Sequence, residues 1–100
     1  MEQPDSLIHQ PVRLKIMAAL KVLPPGEKIE FMRLRAVVNA TEGNLGAHLN
    51  TLEEAGYIVV EKDFDNKKPR TRVKLTKDGR RAFEAYVAFL RDIIDQCGIR

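Results

Sequence analysis

The chain has 100 residues and a mass of 11.4 kDa, which is the size of one domain. Hydrophobic residues make up 44% of it and charged residues 31%, a balance that predicts a folded chain with one modest core. The single cysteine excludes an internal disulfide framework and a cysteine-rich zinc site. Neither a membrane-spanning apolar run nor a signal-peptide pattern is visible in the sequence, so a reducing, cytoplasmic setting is expected.

The basic residues are concentrated in one segment. Between Lys62 and Arg81 the sequence has nine basic residues and three acidic ones, a net charge of +6, whereas the whole chain carries +3. A basic segment on an otherwise slightly acidic chain favours a polyanionic partner, with nucleic acid as the first candidate. A solvated surface of salt-bridged side chains is an equal alternative on charge alone.

The first part of the chain shows helical spacing of its apolar residues. Pro11 suits the first turn of a helix, and the positions that follow predict a helix over 11–23, ended by a Pro-Pro-Gly segment. A short isolated strand is predicted at 28–30 and a second helix over 31–39. The apolar positions of the two helices are Val12, Ile16, Ala19, Leu20, Leu23, Phe31, Leu34, Val37 and Val38.

A third helix is predicted over 42–55. Thr41 is a good N-cap, and Gly56 stands where a helix is expected to stop. The leucines between them recur at spacings of four and three residues, which predicts one inward face. They are Leu45, Leu49 and Leu52.

The hydrophobic period then changes from helical to alternating, which predicts a β-hairpin. The two strands are expected over 57–64 and 70–75, with a turn over 65–69 that Pro69 shapes. The second strand has one apolar face and one face of three cations. A last helix, capped by Thr76, is predicted over 76–97.

This order of elements resembles the winged helix-turn-helix of prokaryotic transcription regulators in the MarR/ArsR-like group. The segment TEGNLGAHLNTLEEAGYI over 41–58 resembles the recognition helix and its exit into the wing. The segment KPRTRVKLTKDGR over 68–80 resembles the second wing strand and the corner after it, and PVRLKI over 11–16 is similar to the first helix of the group. The resemblance covers about residues 8–95.

The resemblance implies a mainly α fold with a small β-hairpin wing, a winged helix-turn-helix in which a long C-terminal helix mediates dimerisation. The chain is then one domain over 1–100, with a winged helix core over about 11–75 and the dimerisation helix over about 76–97. The implied function is sequence-specific binding of double-stranded DNA by a homodimeric regulator at a palindromic operator. The recognition helix 42–55 would lie in the major groove and the basic wing 65–72 on the backbone or in the minor groove.

Candidate DNA-binding residues lie on the outward side of the recognition helix and on the wing. Asn and His side chains hydrogen-bond base edges, and glycine lets the backbone approach DNA closely. Local capping by Asn44 and packing of His48 against its own scaffold are the structural alternatives. The candidates are Thr41, Gly43, Asn44, Ala47, His48 and Thr51 on the helix, and Lys67, Lys68, Arg70 and Arg72 on the wing.

Two positions of the recognition helix depart from the pattern of the group, which often has Ser at position 46 and Gln or Arg at position 47. This chain has Gly46 and Ala47 instead. The departure predicts fewer hydrogen bonds to bases and more reliance on phosphate contacts and DNA shape.

The apolar face of the last helix is longer than one small domain needs. It predicts a homodimer joined through the terminal helices, with Leu7, Ile8 and Val12 as a possible facing surface. The alternative is that this face covers the core of its own chain. The candidate interface residues are Phe83, Tyr86, Val87, Leu90, Ile93, Ile94 and Cys97.

Two other classes of function were weighed against a DNA-binding regulator. A winged-helix protein interaction module without DNA binding is compatible with Gly46 and Ala47, although the basic wing disfavours it. An enzyme is disfavoured because no phosphate-binding glycine loop, carboxylate–histidine cluster or nucleophile–base pair is recognisable. No cofactor or metal is expected, and the sequence indicates no particular small-molecule effector.

Overall fold

Four helices and one three-stranded sheet make up residues 5–98, the part of the chain that the computed structural model describes. Their type and order confirm the predicted fold class, including the long last helix, and most predicted boundaries lie within one or two residues of the observed ones. The elements are α1 (Pro11–Lys21), β1 (Lys28–Glu30), α2 (Phe31–Val38), α3 (Glu42–Glu54), β2 (Ile58–Asp65), β3 (Lys68–Leu75) and α4 (Lys77–Gln96).

Three of the helices begin at a side-chain cap, which fixes where each enters the fold. Gln10 caps α1, Thr41 caps α3 and Thr76 caps α4, each by accepting a hydrogen bond from a backbone N–H of the first turn. Helix α2 follows β1 directly without a side-chain cap, and it ends at Asn39, whose φ of 54° is left-handed. Asn is one of the few residues that adopt this conformation readily.

The sheet has the order β1-β3-β2, and both pairings are antiparallel. The strand predicted at 28–30 is present, but it is not isolated, because Lys28 and Glu30 pair with Lys74 and Arg72 of β3. A three-residue strand has too little sequence to reveal its partner.

The hairpin between β2 and β3 turns more tightly than predicted. Only Asn66 and Lys67 lie in the turn, with φ values of 50° and 68°, as in a two-residue hairpin loop of type I′. The predicted turn over 65–69 is thus too long, and Pro69 lies in β3 opposite Phe64. Proline is tolerated there because β1 pairs only with residues 72–74 of β3, which leaves this end of β3 without a second neighbour.

The core is formed by the inward faces of α1, α2 and α3 and by the base of the hairpin. The three leucines of α3 are 0–3% exposed, which confirms their predicted inward face. Among the apolar residues of helix α4, only Tyr86 is buried in this core. Ala82, Phe83 and Leu90 of α4 pack against the core but are only partly buried. The buried residues are Ile8, Ile16, Met17, Leu20, Leu34, Val38, Leu45, Leu49, Leu52, Ile58, Val73, Leu75 and Tyr86.

The corner between the wing and α4 depends on Gly79. A Cβ atom at this buried position would lie 2.0 Å from the carbonyl oxygen of Tyr57. The same oxygen accepts a hydrogen bond from the Thr76 N–H at 3.0 Å, and the Thr76 hydroxyl donates to the Gly56 carbonyl at 2.6 Å. Within the segment 68–80 that resembles the second wing strand and its corner, packing against Tyr57 therefore explains the glycine at position 79.

The segment before α1 is tied to the rest of the domain. Ile8 is fully buried, and the Tyr57 hydroxyl donates to the Asp5 carboxylate at 2.6 Å, which raises the pKa of Tyr57 to about 12. His9 Nδ1 lies 2.7 Å from the Tyr86 hydroxyl. This segment thus anchors the first part of α4.

Candidate nucleic-acid interface

The outward side of α3 is exposed and carries short side chains. With the three leucines turned inward, Glu42, Gly43, Asn44, Ala47 and Asn50 face solvent. The Thr41 hydroxyl accepts the Asn44 N–H at 3.1 Å, so it serves as the helix cap from an exposed position. A helix of this kind fits a groove about 12 Å wide, the width of the major groove of B-DNA.

Two glycines on α3 have no packing explanation. At Gly43 and Gly46 an added Cβ would meet no atom within 4 Å. In the helix interior, Gly46 costs about 1 kcal/mol relative to alanine, and the space outside both glycines is free. Another molecule can therefore approach the α3 backbone closely on this side of the helix.

His48 is held by Arg13 of α1, a contact that the residue spacing in the sequence does not indicate. Arg13 Nη1 lies 3.0 Å from His48 Nδ1, and Arg13 Nε donates to the Leu7 carbonyl. Because a guanidinium only donates, Nδ1 accepts and the neutral ring carries its proton on Nε2. Burial, followed by the charge of Arg13, lowers the pKa of His48. The predicted base-reading ring is thus half-buried and supported by α1.

Thr51 is also engaged within the chain. Its hydroxyl donates to the Ala47 carbonyl at 3.2 Å, one turn earlier on α3. Of the helix candidates, Thr41, Gly43, Asn44 and Ala47 are exposed, whereas His48 and Thr51 are half-buried.

The outer face of the wing is a ladder of opposite charges. Across the hairpin Glu61 lies opposite Arg72, and Asp63 lies opposite Arg70. Asp63 accepts two hydrogen bonds from Arg70, at 2.9 and 3.0 Å, and one from Arg72 at 3.0 Å. The bonds from Arg70 are the main reason that the pKa of Asp63 falls to about 2.

The ladder divides the four cations predicted to contact DNA from the wing into two pairs with different surroundings. Arg70 and Arg72 are half-buried and share the Asp63 carboxylate, so both guanidiniums are already paired. Lys67 and Lys68 are exposed at the turn, and neither makes a salt bridge within residues 5–98. Lys67 and Lys68 are therefore the predicted wing cations that are most accessible to phosphates.

The other face of the hairpin continues the core outwards. The pairs Ile58–Leu75 and Val60–Val73 lie at its base, followed by Lys62–Thr71 and by Phe64–Pro69 at the tip. Lys62 and Thr71 line an open groove of about 360 Å³ together with Gly46 and Asn50 of α3. Helix α3 and this face of the wing thus form one continuous surface.

A match to a protein-family model classifies the domain that carries this surface. The model is described as a winged helix DNA-binding domain, and it matches residues 12–94. The chain belongs to this family. None of the helices within residues 5–98 is long and apolar enough to cross a membrane.

Relatives of the winged helix domain support the same classification. An uncharacterised protein of Methanocaldococcus jannaschii is 38% identical over 81 residues, which cover 81% of this chain and 85% of that protein. A transcriptional regulator homologue from Pyrococcus horikoshii OT3 superposes with a TM-score of 0.81 at 32% identity, covering 91% and 87% of the two chains. The Pyrococcus horikoshii structure, together with the family model, confirms the predicted winged helix-turn-helix regulator and favours a regulator over an enzyme.

A more distant structure shows the fold alone. The MepR–DNA complex of S. aureus matches with a TM-score of 0.67 at 15% identity, covering 90% of this chain and 67% of that one. MarR-family regulators from Silicibacter pomeroyi match at similar scores.

The last helix of the winged helix domain divides into two parts. Tyr86 is 4% exposed and bonded to His9, so its assignment to a dimer interface is wrong and it belongs to the core. Phe83 and Leu90 pack partly against that core. Beyond Leu90 every described residue is exposed, including Ile93, Ile94 and Cys97. The end of α4 therefore presents apolar side chains to solvent.

Proposed function

We propose that this DNA-binding regulator reads a palindromic site in duplex DNA as a homodimer, with α3 in the major groove and the wing tip on the adjacent backbone or minor groove. The observation that carries the proposal is the exposed, side-chain-poor face of α3 opposite its three buried leucines. Structural support comes from the wing, which continues the same surface.

Close approach of the α3 backbone is the main feature of the proposed complex. At Gly43, Gly46 and Ala47 no long side chain separates the helix backbone from the groove. Glu42 is a longer exposed side chain on the same side of α3. Asn44 is the exposed side chain best suited to a base edge, and Asn pairs with adenine through two hydrogen bonds. We assign sequence reading mainly to Asn44, with a smaller contribution from His48 Nε2–H.

Lysines supply the attraction to phosphates. Lys62, Lys67 and Lys68 are exposed on the wing, which gives six cations in a dimer, whereas Arg70 and Arg72 already pair with Asp63. Phosphate contacts position a protein without carrying sequence information. Binding is therefore expected to combine strong salt dependence with modest sequence preference.

The end of α4 supports the homodimer. Ile93 and Ile94 are 36% and 46% exposed, and a second copy that packs its own α4 against them would remove both from water. Leu90 and Cys97 extend the same region of the helix. Two recognition helices would then reach successive major grooves on one side of the duplex.

Selection of bound sequences from a random duplex pool, followed by footprinting, tests the proposal. The expected result is an inverted repeat whose half-site centres lie about 10 base pairs apart, or a multiple of that distance. A single half-site would contradict the dimer. A failure to bind any duplex at low salt would contradict DNA reading and favour a protein interaction module.

A further inference from the structure

An exposed aromatic ring at the wing tip has no role in the electrostatic attraction described above. Phe64 is 71% exposed, whereas Ile58 and Val60 on the same face of β2 are buried or half-buried. Its cross-strand partner is Pro69, which is also exposed. Packing within the chain therefore does not explain a phenylalanine at this position.

Phe64 lies in a hairpin whose conformation is stabilised on both sides of it, by the turn and by ion pairs. The two-residue turn at Asn66 and Lys67 fixes the register of the strands, and the adjacent Asp63 binds Arg70 and Arg72 across the hairpin. A side chain on a preorganised element loses less conformational entropy when it binds. The wing tip is thus a preorganised hairpin end that exposes an apolar side chain.

The position of the ring relates it to the DNA-binding surface. Phe64 follows Val60 and Lys62 on the strand face that lines the groove with α3. The exposed cations nearest to it in the hairpin are Lys62, Lys67 and Lys68. Lys62 lies on the same strand face as the ring and Lys67 lies in the adjacent turn, whereas Lys68 lies on the opposite face, across from Asp65. An exposed ring beside lysines matches a partner with anions outside and apolar edges between them.

We propose that Phe64 enters the minor groove of the bound duplex and packs against deoxyribose and base edges, while the neighbouring lysines contact the flanking phosphates. Apolar side chains used in this way partly unstack a base step and bend the duplex, which favours flexible TA and CA steps. The proposal rests on the proposed function and adds an uncharged contribution to it. The area that one ring and one proline can bury is far smaller than the roughly 1,000 Å² of a specific protein interface. This difference disfavours a protein partner for the wing tip.

Salt dependence separates this contact from the lysine contacts. Fluorescence anisotropy with the selected duplex compares wild type, Phe64→Ala and Lys67→Ala over a range of salt concentrations. We expect Phe64→Ala to weaken binding about tenfold per ring, or about a hundredfold per dimer, at every salt concentration, in the range of aromatic contacts with nucleic acid, with an unchanged salt slope. Lys67→Ala removes one phosphate contact per protomer, so the slope should become shallower by about 2 per dimer.

A second duplex tests the position of the ring. When the TA or CA step facing the wing is replaced by a stiff AA step, wild type should lose affinity and Phe64→Ala should not respond. Circular dichroism and thermal melting check that the variant folds, and Phe64→Leu should retain most of the affinity.

Several results would overturn the proposal. It fails if Phe64→Ala binds as tightly as wild type, if it changes the salt slope as Lys67→Ala does, or if the variant discriminates between the two duplexes as wild type does. It also fails if Phe64→Ala dissociates the protein's own dimer without DNA, because the ring would then belong to a protein interface. If wild type itself binds no duplex, the proposed function fails, and this is distinguishable from a failure confined to Phe64.

Discussion

At the scale of single residues, three of the predicted site side chains are held by partners from elsewhere in the chain. His48 depends on Arg13 of α1, and Arg70 and Arg72 depend on Asp63. The sequence identifies His48, Arg70 and Arg72 as candidate site residues, but it does not identify Arg13 or Asp63 as their partners. The hydrogen bonds and ion pairs of a residue follow from the register and packing of whole elements, which residue spacing alone does not give.

The pKa of His48 offers a test of its contact with Arg13. Burial and Arg13 favour the neutral ring in the folded state, so His48 contributes stability that is present above its ordinary pKa of 6.5 and is lost as the pH falls through the lowered folded value. NMR titration should show a lowered pKa in wild type and a rise toward 6.5 in Arg13→Gln. An ordinary value in wild type would contradict the contact.

Removing the charge of Asp63 should strengthen DNA binding. Asp63→Asn leaves two guanidiniums on each wing without their counter-charge, so affinity for all sequences should rise and the salt slope should steepen by about 1–2 per dimer. Asp92→Asn, an equal change of charge at an exposed position of α4, is the matched control and should have little effect. Weaker binding by Asp63→Asn would show that the ladder itself is needed to shape the wing.

The same variant has a defined pH dependence. Asp63 has its pKa lowered from 3.8 to about 2 by the two arginines, so its contribution to stability is present above about pH 4 and is lost as the pH falls through about 2. The difference in unfolding free energy between wild type and Asp63→Asn should be constant down to about pH 4 and then vanish. Urea denaturation at a series of pH values measures it.

At the scale of elements, periodicity predicts helices well and strand register poorly. The spacing of Leu45, Leu49 and Leu52 was sufficient to place the inward face of α3, because a helix face depends only on local geometry. The register of the hairpin depends on its turn, and Pro69 suggested a turn longer than the two residues observed. With the correct turn the sequence would have paired Asp63 with Arg70.

Two helical glycines should respond in opposite ways to alanine. Gly46→Ala meets no neighbouring atom, so it should stabilise the fold by up to about 1 kcal/mol and yet weaken DNA binding, since the added methyl separates α3 from the groove. Gly79→Ala would place a methyl group 2.0 Å from the Tyr57 oxygen and should destabilise by about 3 kcal/mol or more. Thermal melting and anisotropy measure both effects. Unchanged DNA affinity in Gly46→Ala would contradict close approach.

At the scale of the whole molecule, the end of α4 decides between a monomer and a dimer. Leu90 packs partly on its own core, so Ile94→Glu is the cleaner test of the interface. A charge at this exposed position costs the monomer little, but it would be buried unpaired in a dimer. Analytical ultracentrifugation should show a dimer for wild type and a monomer near 11.4 kDa for the variant, with half-site binding retained weakly. A monomeric wild type would contradict the dimer and leave the end of α4 exposed to solvent.

The salt dependence of wild-type affinity for its selected duplex tests the central claim most directly. Six wing lysines per dimer predict that log K falls with log salt at a slope of about −5. An affinity that does not change with salt, or no binding to duplex DNA at low salt, would contradict the claim that this surface binds the DNA backbone.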